Sequence, residues 1–152
     1  PNRVNNLVMI GTAFPMAVSE ALLNLAKDND PGAIDVLTFM SFSEDARIGN
    51  SKNPGMWMTE GTRRLMQRSS KNVIFKDLLA CSNFVNGLDR AKEVNAKTLL
   101  ILGENDYLTP KHKAKDLIEN FKSVLVKEIK GSGHSLMVEN PNLVLDYLLA
   151  AL

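Results

Sequence analysis

The stretch IKGSGHSLMVENP, from Ile129 to Pro141, sets a single imidazole, His134, among small residues and follows it with a carboxylate at Glu139. A histidine works as a general base when a carboxylate fixes one ring nitrogen and the other faces a proton donor. The carboxylates for such a pairing occur upstream in LLILGENDYLTP, where Glu104 and Asp106 follow an apolar run that ends in Gly103. Ser132 and Ser135 flank His134 too closely in sequence to serve as its partners and read as turn residues. Glu139 reads as a structural carboxylate ahead of the last helix. His112, inside KHKAK, reads as a solvated residue on a lysine-rich helix face.

The elements around these residues decide whether they can meet. Three short apolar runs, NLVMIG (Asn6 to Gly11), KTLLILG (Lys97 to Gly103) and SVLVKEI (Ser123 to Ile129), read as strands buried on both faces. Between the last two, PKHKAKDLIENF places Ala114, Leu117, Ile118 and Phe121 on one helical face. Pro110 suits the first helical position there and Thr109 the cap before it. The final stretch repeats the device, with Asn140 as cap, Pro141 opening the helix, and Val144, Tyr147, Leu148 and Ala151 along one side. Strand, helix, strand, helix with short connections predicts an α/β fold with a parallel sheet. Parallel strands deliver the residues after their carboxyl ends to one sheet edge, which would bring Asp106 and His134 within reach of each other. The glycines of KGSGH allow the tight path this needs.

From Phe14 to about Asn95 the pattern is helical instead. AVSEALLNLAK carries Val18, Ala21, Leu22, Leu25 and Ala26 on one face. PGAIDVLTFMSF, MWMTEGTRRLMQR and IFKDLLACSNF also read as helices, with RIGNSKNPG as a linker among them. The expected organisation is a sheet strand in residues 1–13, a helical insertion in 14–95, and the closing strand and helix pairs in 96–152.

The totals exclude several classes. Eighteen Lys and Arg stand against 17 Asp and Glu, a balance without the basic excess of a nucleic-acid binder. Cys81 is the sole cysteine, so there is no internal disulfide framework, and two histidines without a second cysteine make a zinc site a poor expectation. No apolar run reaches membrane-spanning length, and no secretory leader stands at the start. A cytoplasmic location with no metal site is the resulting expectation.

The segments KTLLILGENDYLTP and IKGSGHSLMVENPNLVLDYLLAAL resemble the C-terminal portion of the α/β-hydrolase superfamily. The acid after one strand, the Thr-Pro helix start, the Gly-His after the next strand and the Glu-x-Pro beyond it stand in the family's order. FKDLLACSNFVNGLDRAKEVNAKTLLILG is similar to the segment by which the helical lid of these enzymes returns to the sheet. The resemblance covers essentially the whole chain. It implies a catalytic acid at Asp106, a catalytic base at His134, no cofactor, and acyl transfer from a small hydrophobic ester-like substrate to water.

The family's nucleophile belongs to a G-x-S-x-G elbow preceding these segments, and no such elbow occurs here. Ser19 in AVSEA has small residues two positions to either side, but it lies in a helical pattern well beyond the first strand. Cys81 reads as a small core residue of an amphipathic helix. The resemblance therefore implies that the half carrying nucleophile and oxyanion hole is absent, leaving the NLVMIG strand with an unpaired edge. The expected partner is that missing half, on a longer or second chain, or an edge-paired or swapped homo-oligomer. A non-catalytic ligand-binding or sheet-completing protein on the same scaffold is the alternative. Trp57, Met58 and Leu136 are the candidate substrate-pocket residues. Met56 to Met58, with Phe39, Met40 and Phe42, could equally form the helical insertion's own core. Arg63, Arg64 and Arg68 could meet an acidic substrate or pair with Glu60 and other acids.

Overall fold

The computed structural model describes residues 3–50, 52 and 54–151. Pro1, Asn2 and Leu152 at the ends of the expected segments, and Ser51 and Asn53 of the RIGNSKNPG linker, lie outside the described residues. Three parallel strands, β1 (Asn6–Ile10), β2 (Lys97–Gly103) and β3 (Val124–Ile129), form one sheet in the order β1-β2-β3. Their register pairs Ile10 with Ile101 and Gly103 with Ile129. All three strands therefore end along one edge.

β2 organises the core, because its alternating side chains enter opposite layers. Leu99 and Ile101 pack with Ile129, Leu136 and Val144 on one face, and Leu100 and Leu102 pack with Ala13 and Ala114 on the other. Only this central strand is buried on both faces. β1 and β3 were expected to be, but they are the outer strands of the described sheet: residues 7–10 are half-buried, and Leu125 is exposed. Helix α9 (Pro141–Ala151) covers the first face through Val144, Tyr147, Leu148 and Ala151, as its spacing predicts.

The second face is covered by a 3-10 turn (Lys111–Ala114) running into α7 (Lys115–Asn120). The expected helix start at Thr109 and Pro110 is thus displaced. Pro110 is extended, with ψ of 143°, because the preceding Thr109 is held by the Asp106 loop and does not cap the helix. Asn140 is also only partly the expected cap: its carbonyl accepts from Val144 N–H, while its side chain accepts from Lys52.

Between β1 and β2 the described residues form six helices, α1 (Glu20–Lys27), α2 (Pro31–Ser41), α3 (Glu44–Arg47), α4 (Met58–Gln67), α5 (Val73–Asn83) and α6 (Gly87–Glu93). α1, α2 and α5 share a small core of Leu22, Ala26 and Ala33 with Ile74, Phe75 and Leu78 against it. Phe42, Ala46 and Met58 pack against Val138 of a one-turn helix, α8 (Leu136–Glu139), just past His134. The helical segment is therefore seated on the histidine loop. Among the described residues no helix is long and apolar enough to cross a membrane.

Candidate active site

The sheet edge brings the predicted acid and base together. Asp106 emerges three residues after β2, and His134 five residues after β3. His134 Nδ1 lies 2.9 Å from Asp106 Oδ2. An ionised carboxylate only accepts, so this contact assigns the proton of a neutral ring to Nδ1 and leaves the lone pair on Nε2.

Asp106 is 4% exposed, and its other oxygen, Oδ1, accepts from the backbone N–H groups of Leu108 and Thr109, each at 2.8 Å. Burial by itself would raise the pKa of this carboxyl. The bond to His134, the Thr109 N–H, the charge on His134 and the Thr109 hydroxyl together outweigh burial and hold it below its ordinary 3.8. Glu104 does not compete for the ring. It is exposed and accepts from the Gly131 N–H at 2.8 Å, pinning the turn after β3.

The lowered pKa has a consequence for stability. The folded state favours the ionised form of Asp106, so this contribution is fully present above pH 3.8 and is lost as pH falls through the lower, folded value. Stability of the wild-type protein relative to Asp106→Asn should shrink below about pH 4. Denaturant midpoints measured across that range check it, and a constant difference between the two proteins would contradict it.

The histidine loop is held from below. Glu139, 5% exposed, accepts from Ser43 Oγ at 2.6 Å and from Gly133 N–H at 3.0 Å. Ser135 N–H donates to Ser41 O at 2.8 Å. Glu139 is thus the structural carboxylate expected of it, with Ser43 as a partner. The guanidinium of Arg47 lies 3.8 Å from the Phe39 ring centre and 5.4 Å from that of Tyr107, which joins α3 to the Asp106 loop.

Other candidates lie elsewhere. Ser19 caps α1, accepting from Leu22 N–H, and Cys81 is half-buried in α5. Ser132 is fully buried, Ser135 precedes α8, and His112 is exposed. Arg63 pairs with Asp35 at 2.5 Å and Arg64 with Glu60 at 2.7 Å, while Arg68 is exposed. Trp57, Met58 and Leu136 do not share a packing cluster. Trp57 is exposed, Met58 packs with Phe42 and Ala46 at the base of the helical segment, and Leu136 belongs to the sheet core.

Two features escaped the sequence reading. Ser43 reaches Glu139 across 96 positions, a distance that local pattern does not bridge. Thr109 suits a helix cap by residue type, but Asp-x-x-Thr-Pro also fits a turn in which the aspartate receives the threonine N–H, and that turn is what forms.

The fold that carries this pair recurs in solved enzymes. An esterase from Exiguobacterium antarcticum superposes with a TM-score of 0.80 at 18% identity, over 97% of this chain and 56% of the esterase. A bromoperoxidase from Bacillus anthracis does so with a TM-score of 0.81 at 18% identity, over 97% of this chain and 58% of its own. The chain carries part of the α/β-hydrolase fold. A curated Mycoplasma genitalium protein, described as an esterase/lipase, is 34% identical over 87 residues, which are 55% of this chain and 32% of that protein. No family model matches. The α/β-hydrolase portion seen here spans about a third of that curated relative and little more than half of the two solved enzymes.

Proposed function

We propose that this chain supplies the acid and the base of a serine-type hydrolase that cleaves ester-like bonds, with His134 as general base and Asp106 as the residue that orients it. The observation carrying this reading is the 2.9 Å bond from His134 Nδ1 to Asp106 Oδ2, which leaves Nε2 as a free proton acceptor. Nε2 takes the hydroxyl proton of a serine as its oxygen attacks the substrate carbonyl. The imidazolium returns that proton to the departing alkoxide, and a second cycle with water releases the acid. The ester and one water are consumed, an alcohol and an acid are released, and serine and His134 return to their starting states.

The nucleophile and oxyanion hole are proposed to lie on sequence beyond these 152 residues, docked against β1. In support, β1 is an outer strand of the described sheet, beside an apolar hollow of about 250 Å³ lined by Leu7, Met9, Phe14, Phe84 and Phe121. In the same reading α1 to α6 form a lid, with exposed Phe39, Met56 and Trp57 as an apolar rim that favours small hydrophobic acyl groups. A cytoplasmic setting fits the single cysteine.

A fluorophosphonate probe, followed by mapping of the modified peptide, tests the proposal. Label on a serine outside this sequence, lost when His134 is replaced, is the expected result. Label on Ser19, or no label while a control hydrolase reacts, would overturn it.

A further inference from the structure

We infer that Thr109 is a positioning residue of the His134 and Asp106 pair, its hydroxyl holding the imidazole proton on Nδ1 and tying both loops to the end of β1. The catalytic consequence rests on the hydrolase reading above; the geometry does not.

Three polar atoms surround Thr109 Oγ1. Gly11 O and Asp106 Oδ2 each lie at 2.8 Å, and His134 Nδ1 lies at 3.1 Å. A threonine hydroxyl has one proton and two acceptor sites, and both neighbouring oxygens accept only. The hydroxyl proton therefore serves one oxygen at a time. The proton on Nδ1 is shared in turn between Asp106 Oδ2 and Thr109 Oγ1.

Two settings follow, and neither requires a heavy atom to move. With neutral His134, the hydroxyl donates to the Asp106 carboxylate, which is the more strongly accepting oxygen. With the imidazolium, Asp106 is engaged by the tightened Nδ1–H bond. The hydroxyl can then turn to Gly11 O and present its lone pairs to Nδ1–H. The hydroxyl thus accompanies the charge cycle of the ring.

The rest of the site is built for this contact. Gly11 continues the β1 ladder by donating its N–H to Ile101 O at 2.9 Å, then turns with φ of +57°. A Cβ at Gly11 would lie 3.2 Å from both Nδ1 and Cε1 of His134, so the bare backbone lets its carbonyl and the ring approach the same hydroxyl. Thr109 N–H meanwhile holds Asp106 Oδ1, so one residue engages both oxygens of the acid.

The experiment compares Thr109→Val, which loses the hydroxyl at nearly constant shape, with Thr109→Ser, which keeps it. Protein labelled with 15N-histidine gives only the His112 and His134 ring signals from this sequence. The Nδ1–H of His134 should exchange with solvent at least about tenfold faster in Thr109→Val than in wild type. The Asp106 carboxyl, followed by 13C shift, should titrate about one unit higher. Thr109→Ser should restore both. If Thr109→Val does not fold, Thr109→Ala is read against Thr109→Ser in the same way. Unchanged exchange and titration in the hydroxyl-free variant would overturn the assignment, as would equal changes in the serine variant. Neither readout uses a substrate, so failure of the hydrolase reading, seen by probe labelling, is distinguishable from failure of this one.

Discussion

In the proposed hydrolase, His134→Ala is expected to lower ester hydrolysis by about 10⁴ to 10⁶-fold while leaving the fold in place. The activity loss follows from Nε2, the proton acceptor that Asp106 leaves available. The retained fold follows from what remains at Asp106. Its carboxylate still accepts from Leu108 N–H, Thr109 N–H and the Thr109 hydroxyl, so the ring's departure does not leave a bare buried charge. Asp106→Asn makes the same argument from the other side. Oδ1 is pinned by two backbone N–H groups, so the asparagine amide nitrogen must occupy the position facing His134. It then donates to Nδ1, which moves the ring proton to Nε2 and removes the base, for a loss of about 10⁴-fold. Steady-state rates on a short-chain nitrophenyl ester, with unfolding midpoints measured alongside, check both variants. Activity within tenfold of wild type in His134→Ala would sink the assignment of His134 as base.

The meeting of Asp106 and His134 was legible because each follows a strand whose apolar run stands out in the sequence. KTLLILG is buried on both faces and could be read from composition alone. The edge strand NLVMI is also apolar, yet it is only partly buried in the described chain, because burial depends on a neighbouring strand that residue type does not reveal; β3 differs in type as well, carrying Lys127 and Glu128. The same boundary between local and tertiary information separates the remaining cases. The spacing of Val144, Tyr147, Leu148 and Ala151 predicts the face of α9 correctly, since a helix repeats at a fixed period. Thr109 has a residue type that suits two jobs, capping a helix or closing the Asp106 loop. The choice is made by Gly11 and His134, which are distant in sequence. Trp57, Met58 and Leu136 were grouped by apolarity, a property shared by pocket walls and cores, and two of the three pack in cores.

Gly133 offers a second large effect, from the opposite side of His134. A Cβ at Gly133 would lie 2.4 Å from Ser43 N and 2.7 Å from Phe42 C, both backbone atoms, and 2.8 Å from Glu139 Oε1. Rotating a side chain does not relieve the two backbone contacts, so either the α2 to α3 junction or the histidine loop must shift. The loop is also constrained from above, because Gly103 leaves no room: a Cβ built there would already lie 2.4 Å from Gly133 O. Gly133→Ala should therefore destabilise the protein by about 3 kcal/mol, at the upper end for overpacking, and weaken the Gly133 N–H bond to Glu139. A displacement of about 1 Å at His134 should lower hydrolysis by about 10²-fold beyond any loss of folded protein. Two other glycines serve as controls with different physics. Gly131 has open space but φ of +70°, so alanine there should cost about 1 to 2 kcal/mol through backbone strain without moving the ring. Gly61, inside α4 with open space, should become more stable as alanine by about 0.5 to 1 kcal/mol. Denaturant unfolding of the three variants, with rates corrected for folded fraction, separates crowding at the histidine loop from a general sensitivity to lost glycine. If Gly133→Ala behaved like Gly131→Ala in both stability and rate, the close packing of α2, α3 and Glu139 against the His134 loop would not be what holds the base in place.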